Sequence, residues 1–161
     1  MYQPSIIDPF SLTWYIGIIV SIIFSYIILQ VATRIPPDKR KILMVFLGLT
    51  LILVEIMQQL YLYVLGIWEI ERSLPIHFCS IAGILAGIMM LRQNQTGFEF
   101  LALIGTPVAM HAIITPQLNH GPMQFLIYKY YISHVGIILV PLFYAIVLGY
   151  RVSNRSWFKV I

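Results

Sequence analysis

The chain has 161 residues, 60% of them hydrophobic and 10% charged, with a net charge of +4 from 10 basic and 6 acidic side chains. A soluble domain carries about 25% charged residues, so this chain cannot cover a water-facing surface and lipid must be part of its solvent. The basic residues lie in short stretches between apolar runs, which excludes a basic surface that tracks nucleic acid and suits topology signals and anionic lipid heads.

At about 20 apolar residues per span, the length accommodates five. The expectation is an all-α, multi-pass transmembrane bundle of about five spans in a single domain, 1–161. Met1 to Phe10 holds Asp8 and no Lys or Arg. It lacks the basic start of a signal peptide, so the first apolar run is expected to remain as a span.

Leu12 to Ala32 is charge-free and long enough to cross. Ile42 to Trp68 is longer than a minimal span and contains one carboxylate, Glu55; the excess predicts tilt. Ile76 to Leu91 is short and follows Pro75, a residue suited to a first helical position. Phe98 to Ile114 is also short and is interrupted by Pro107, and Tyr131 to Tyr150 contains Pro141. In lipid every backbone polar group must be paired internally, so these runs are expected to be helices, kinked at the two prolines. Asn119 to Pro122, NHGP, is a turn signal, in which His120 reads as a solvated loop residue. Met123 to Tyr131, MQFLIYKYY, has the aromatic composition of a membrane interface.

Arg34, Lys39, Arg40, Lys41, Arg92, Arg151, Arg155 and Lys159 fall on one side of this arrangement, and only Arg72 and Lys129 on the other. The positive-inside rule then predicts the N-terminus outside and the C-terminus inside, in the cell membrane.

With that orientation, His77 and Cys79 open span three at its outer end. His111 lies near the outer end of span four, and His134 opens span five. Glu55 is at mid-depth in span two, with Gln58, Gln59 and Tyr63 on its helical face. Five spans could scatter these side chains over both leaflets; they converge on the outer half instead.

Each residue has a bland reading beside the sharp one. Glu55 is either part of a functional network or a protonated acid bonded to a neighbouring helix. Gln58 and Gln59 read as helix glue, and Tyr63 as an interfacial anchor. His77 and His111 lie where a histidine simply reaches water. Cys79 alone is a small buried hydrophobe, inert in apolar surroundings; it becomes a nucleophile only with a base at hand, and three histidines at matching depth provide one. His77, Cys79, His111 and His134 also make up a four-ligand set for zinc. The spacing matches no zinc motif, however, and no metal or other cofactor is expected. Gly83 and Gly87 form GxxxG, with Cys79 one step earlier on the stripe, which predicts a close helix contact there.

Three motifs carry a family resemblance. LPIHFCS, Leu74 to Ser80, resembles the LPLHLC signature of the YwaF-like integral membrane proteins. TPQL, Thr115 to Leu118, is similar to that family's TPDL. FLIYKYYISH, ending at His134, resembles its aromatic-rich FF-x-SH. Glu55, about twenty residues before the first motif, also fits. The superfamily includes a eukaryotic transmembrane protein implicated as a lipid acyltransferase. The resemblance therefore implies a lipid acyltransferase or hydrolase acting on a phospholipid or acyl substrate. In it Cys79 would be the nucleophile and acyl carrier, His134 the general base, and Glu55, His77, His111 and Gln59 supporting residues. Gln117 stands where the family has Asp. Members continue into further spans, so the chain reads as C-terminally truncated.

Two other readings remain open: a transporter or ion- or small-molecule-binding protein using Glu55 and the histidines, and an accessory subunit without chemistry. The second predicts Cys79 and His134 on different faces with no shared cavity.

Overall fold

The computed structural model describes residues 5–118, 121 and 123–153. Asn119, His120 and Pro122 of the expected NHGP turn lie outside the described residues, as do Arg155, Lys159 and the chain end. Among the described residues, five helical segments longer than a single turn make up the fold, connected in turn by short links. Four are long and apolar enough to cross a membrane.

The first, α1 (Leu12–Arg34), starts at Ser11, whose Oγ accepts the Trp14 amide at 3.3 Å. The second, α2 (Pro37–Val64), has 28 residues and begins at a proline, whose missing N–H is no loss at a first helical position. It therefore starts five residues before the expected Ile42 and stops short of Trp68. The stop is chemical. Gly66 adopts φ +68°, the Gly66 amide donates to the Tyr63 carbonyl at 3.0 Å, and the Ile67 amide donates to the Leu62 carbonyl at 3.1 Å. This is the paired-bond glycine termination of a helix. A single turn, α3 (Ile70–Ser73), follows.

The third segment, α4 (Phe78–Leu91), has 14 residues and is only about 21 Å long, against a hydrocarbon core of about 30 Å. Pro75 sits before the helix rather than at its first position; His77 is the N-terminal boundary residue. The fourth runs 20 residues from Gln95 to Ile114. It consists of α5 (Gln95–Phe100), a π turn (Leu101–Gly105) and α6 (Thr106–Ile114). The expected disturbance at Pro107 takes this form. A proline ring crowds the carbonyl four residues back, and the helix widens by one residue just before it. The Thr106 hydroxyl donates to the Leu101 carbonyl at 3.0 Å across the widened turn. The last helix, α7 (Gln124–Val147), runs through Pro141 without a break and starts seven residues before the expected Tyr131. The aromatic stretch is thus its first turns rather than a connecting loop.

The helices alternate in direction, and α7 is central, packing on α1, α2, α4 and α6. The crossing of α2 and α4 is set by glycine. A Cβ on Gly87 would lie 2.7 Å from Ile52 Cγ1 and 2.9 Å from the Gly48 carbonyl oxygen, and one on Gly48 would lie 2.8 Å from the Gly87 oxygen. The GxxxG stripe of α4 thus meets a glycine of α2, and backbone packs on backbone. At the same end the Tyr144 hydroxyl donates to the Met89 carbonyl. The basic Arg40 caps α1 there, its Nε donating to the Ala32 carbonyl at 3.0 Å, a favourable place for a cation. By contrast α1 buries only Ser21 and Ala32; its apolar exterior is the surface expected of a lipid-facing helix. A two-residue strand β1 (Ser5–Ile6) pairs antiparallel with β2 (Gln117–Leu118), laying the N-terminal segment across the link between α6 and α7.

Candidate functional site

The register of the helices explains why space opens at one end. Glu55 of α2, Gly83 of α4 and Ser133 of α7 meet at one level: a Cβ on Gly83 would lie 3.4 Å from Glu55 Oε1 and 4.0 Å from Ser133 Cβ. From that level α7 extends nine residues to its N-terminus and α4 only five. At 1.5 Å per residue, α4 begins about 6 Å deeper than α7. The short helix leaves room above its first turn.

That room is a cavity of about 410 Å³ between α2, α4, α6 and α7. Its wall contains Cys79, His77, His111 and His134, four of the six residues expected from sequence, together with Gln58 and Lys129. Thr115, Gln117 and Leu118 of the TPQL stretch also border it, and β1 braces that stretch from outside. The Trp14 indole N–H adds a second tie by donating to the Ile114 carbonyl at 2.8 Å.

Cys79 is half-buried in the first turn of α4. The first intrahelical bond there runs from the Ile81 amide to the His77 carbonyl at 3.1 Å, and no side chain caps the start. The amides of Phe78, Cys79 and Ser80 are therefore left without an intrahelical acceptor. They are the kind of donors that stabilise an oxyanion.

His134 is 6% exposed. Its Nδ1 lies 2.7 Å from the Tyr130 carbonyl oxygen. A carbonyl only accepts, so in the neutral ring Nδ1 carries the hydrogen and Nε2 keeps a lone pair. Tyr130 fixes the ring twice more. Its own ring lies 4.1 Å away, centroid to centroid, and its hydroxyl donates to the Ala112 carbonyl at 2.6 Å, tying α7 to α6. Among the described residues no hydrogen bond joins the Cys79 thiol to His134; the two share the cavity rather than a bond.

Glu55 lies below this cavity, not on its wall. It is buried, and its Oε1 takes the Lys129 ammonium at 2.8 Å and the Ser133 hydroxyl at 3.0 Å. Both contacts come from α7, so Glu55 is tied to a neighbouring helix. Lys129 is the surprise. It is expected on the outer side as one of two stray basic residues, yet it sits in the second turn of α7 and points inward, 11% exposed. Gln59 is also placed differently from expectation. The 100° step between neighbours turns Gln58 to the cavity, while Gln59 accepts the Trp68 indole N–H at 2.9 Å. Tyr63 points outward.

Among the described residues, no three His, Cys, Asp or Glu side chains gather closely enough to hold a metal ion. A further carboxylate that sequence reasoning does not single out, Glu99 in α5, is fully buried at the other end. It accepts the Gln95 amide at 2.8 Å and the Ser153 backbone N–H at 3.2 Å.

Comparison with curated proteins and with solved structures finds no match. One family model does match, over residues 5–161. The match covers nearly the whole chain, all five helical segments and every residue of the cavity wall, and on it the chain belongs to the TMEM164 family of transmembrane proteins.

Proposed function

We propose that this TMEM164-family membrane protein transfers or hydrolyses lipid acyl groups, with Cys79 as nucleophile and His134 as general base. The observation that carries the reading is the shared cavity: Cys79 and a histidine with a free Nε2 lone pair line the same chamber. A subunit without chemistry would leave them on separate faces.

The chemistry runs in two steps. His134 Nε2 takes the Cys79 thiol proton across the cavity through water, for which about 410 Å³ leaves space at roughly 30 Å³ per molecule. The thiolate attacks an acyl ester carbonyl, and the resulting oxyanion is met by the unpaired amides of the α4 first turn. Collapse breaks the ester bond, and the departing alkoxide recovers the proton from His134. An acceptor hydroxyl, or water, then gives its proton to His134 and attacks the thioester, which restores the thiol. A general base of this kind contributes about 10²–10⁴-fold.

The kinship to the YwaF-like proteins and their acyltransferase superfamily belongs to this proposal, and rests on the LPIHFCS, TPQL and SH motifs. So does the orientation. The cavity end holds Arg72 and Lys129, while Arg34, Lys39, Arg40, Lys41, Arg92 and Arg151 belong to the other. We assign the cavity to the outer leaflet on that imbalance, with the cell membrane as the host bilayer.

The test is labelling of purified protein with a thiol-reactive acyl probe. Wild type is expected to label at one site, and Cys79→Ala to lose the label; equal labelling of the two sinks the reading. Solute flux lost in Glu55→Gln but unchanged in Cys79→Ser would instead favour a transporter. The burial of Glu55 in an ion pair away from the wall argues for the former.

A further inference from the structure

The Lys129–Glu55 pair is not needed by the acyl chemistry. Buried ion pairs are often no more stabilising than apolar residues of the same volume, and charges inside a bilayer ordinarily mark function. The geometry points to Lys129 as a tethered cation that binds the phosphate of a ligand entering the cavity.

Three observations support this. First, Lys129 is the one Lys, Arg, Asp or Glu side chain among the described residues of the cavity wall; the other polar groups there come from His, Cys, Ser, Gln, Thr and Tyr. Second, an ammonium has three N–H donors. One is held by Glu55 Oε1 at 2.8 Å, and no other described residue is bonded to Lys129, so two donors are available to the chamber it lines. Glu55, itself positioned by Ser133, anchors an otherwise flexible side chain against the wall. Third, Lys129 and Cys79 stand side by side in depth. Each lies four residues, about 6 Å, toward the cavity end from the level at which Ser133 and Gly83 meet, so a lipid whose phosphate meets the ammonium has its ester groups in the chamber that Cys79 lines. Lys129 is thus a substrate-positioning residue. The inference rests on the acyl-transfer reading only for what the bound lipid then undergoes.

Binding tests it without turnover. Cys79→Ala protein in a non-ionic detergent is titrated with dansyl-labelled phosphatidylcholine and with the matching dansyl diacylglycerol, which lacks the phosphate. The phospholipid is expected to bind about tenfold or more tighter, the range of a charge-assisted hydrogen bond. Adding Glu55→Gln and Lys129→Met together, which leaves no orphaned charge, should abolish the preference, and Lys129→Arg should keep it. Retention of the preference in the folded Gln/Met variant, or its absence from the parent, overturns the proposal. A second measurement needs no variant at Lys129. Phospholipid should protect Lys129 from an amine-reactive ester, read by mass spectrometry, where diacylglycerol should not; equal modification with either lipid overturns it as well. Inorganic phosphate is the third arm. Protection by it at comparable concentration identifies a soluble phosphate as the ligand, and protection by phospholipid alone identifies the headgroup. Loss of acyl-probe labelling is read separately, so either idea can fail alone.

Discussion

The glycine crossing and the polar cavity stand at opposite ends of the same three helices, α2, α4 and α7, and solve opposite problems. At the crossing, Gly48 and Gly87 remove side chains so that two backbones touch, and Tyr144 spends its polar hydrogen on the Met89 carbonyl. At the other end α4 stops early, and the level below the cavity is held by Lys129, Glu55 and Ser133. Close packing between helices is possible wherever side chains are small. An open chamber in lipid needs polar groups that satisfy one another first, because unpaired ones are costly in that medium.

The contrast can be broken from either side, and the polar end should break hardest. Glu55→Ala leaves the Lys129 ammonium buried without its counter-ion; removing one partner of such a pair costs about 3–5 kcal/mol, read as a loss of thermal stability in detergent micelles. Glu55→Gln with Lys129→Met should recover most of that loss. If the single and double variants unfold together, the ion pair is not what holds this level. Gly87→Val inserts atoms where a Cβ already meets Ile52 and the Gly48 backbone, and overpacking of this kind costs about 1–3 kcal/mol. It should separate α2 from α4 near Gly48 and Gly87 while leaving acyl-probe labelling at Cys79 in place. A variant as stable as wild type would mean that the crossing is looser than its glycines imply. Trp14→Phe removes only the indole donor to the Ile114 carbonyl. About 0.5–1.5 kcal/mol is expected, detected as faster amide exchange around Thr115 and Leu118 rather than as a large shift in melting. Unchanged exchange there would show that β1 alone secures the mouth.

The spans were readable because lipid demands long apolar runs, and four of the wall residues because span ends fix depth: His77, Cys79, His111 and His134 each stand near the end of an apolar run. Their partners were harder to see. Lys129 follows a stretch rich in turn residues, so one charge among aromatics reads as an interface marker; only its inward direction, set by the phase of α7, reveals a partner for Glu55. Gln58 and Gln59 differ by one step around α2, a rotation that the pattern of a single helix does not resolve. The end of α2 was present in the sequence as Gly66, but an apolar run that continues to Trp68 masks a backbone termination. Glu99 is a lone carboxylate at the edge of an apolar run, and its bonds come from Gln95 in its own first turn and from Ser153, which is 54 residues away.

The π turn at Leu101–Gly105 has a consequence for the timing of side chains along the fourth segment. It adds one residue to the cycle, so everything downstream is out of phase by about 100° with the residues upstream. His111 and Thr115 face the chamber on the downstream phase. An uninterrupted helix of the same sequence would carry both round toward a neighbouring face. The proline that looks like damage to a membrane helix therefore acts as a clutch, letting one end of the segment pack in the core beside Glu99 and the other end present its histidine.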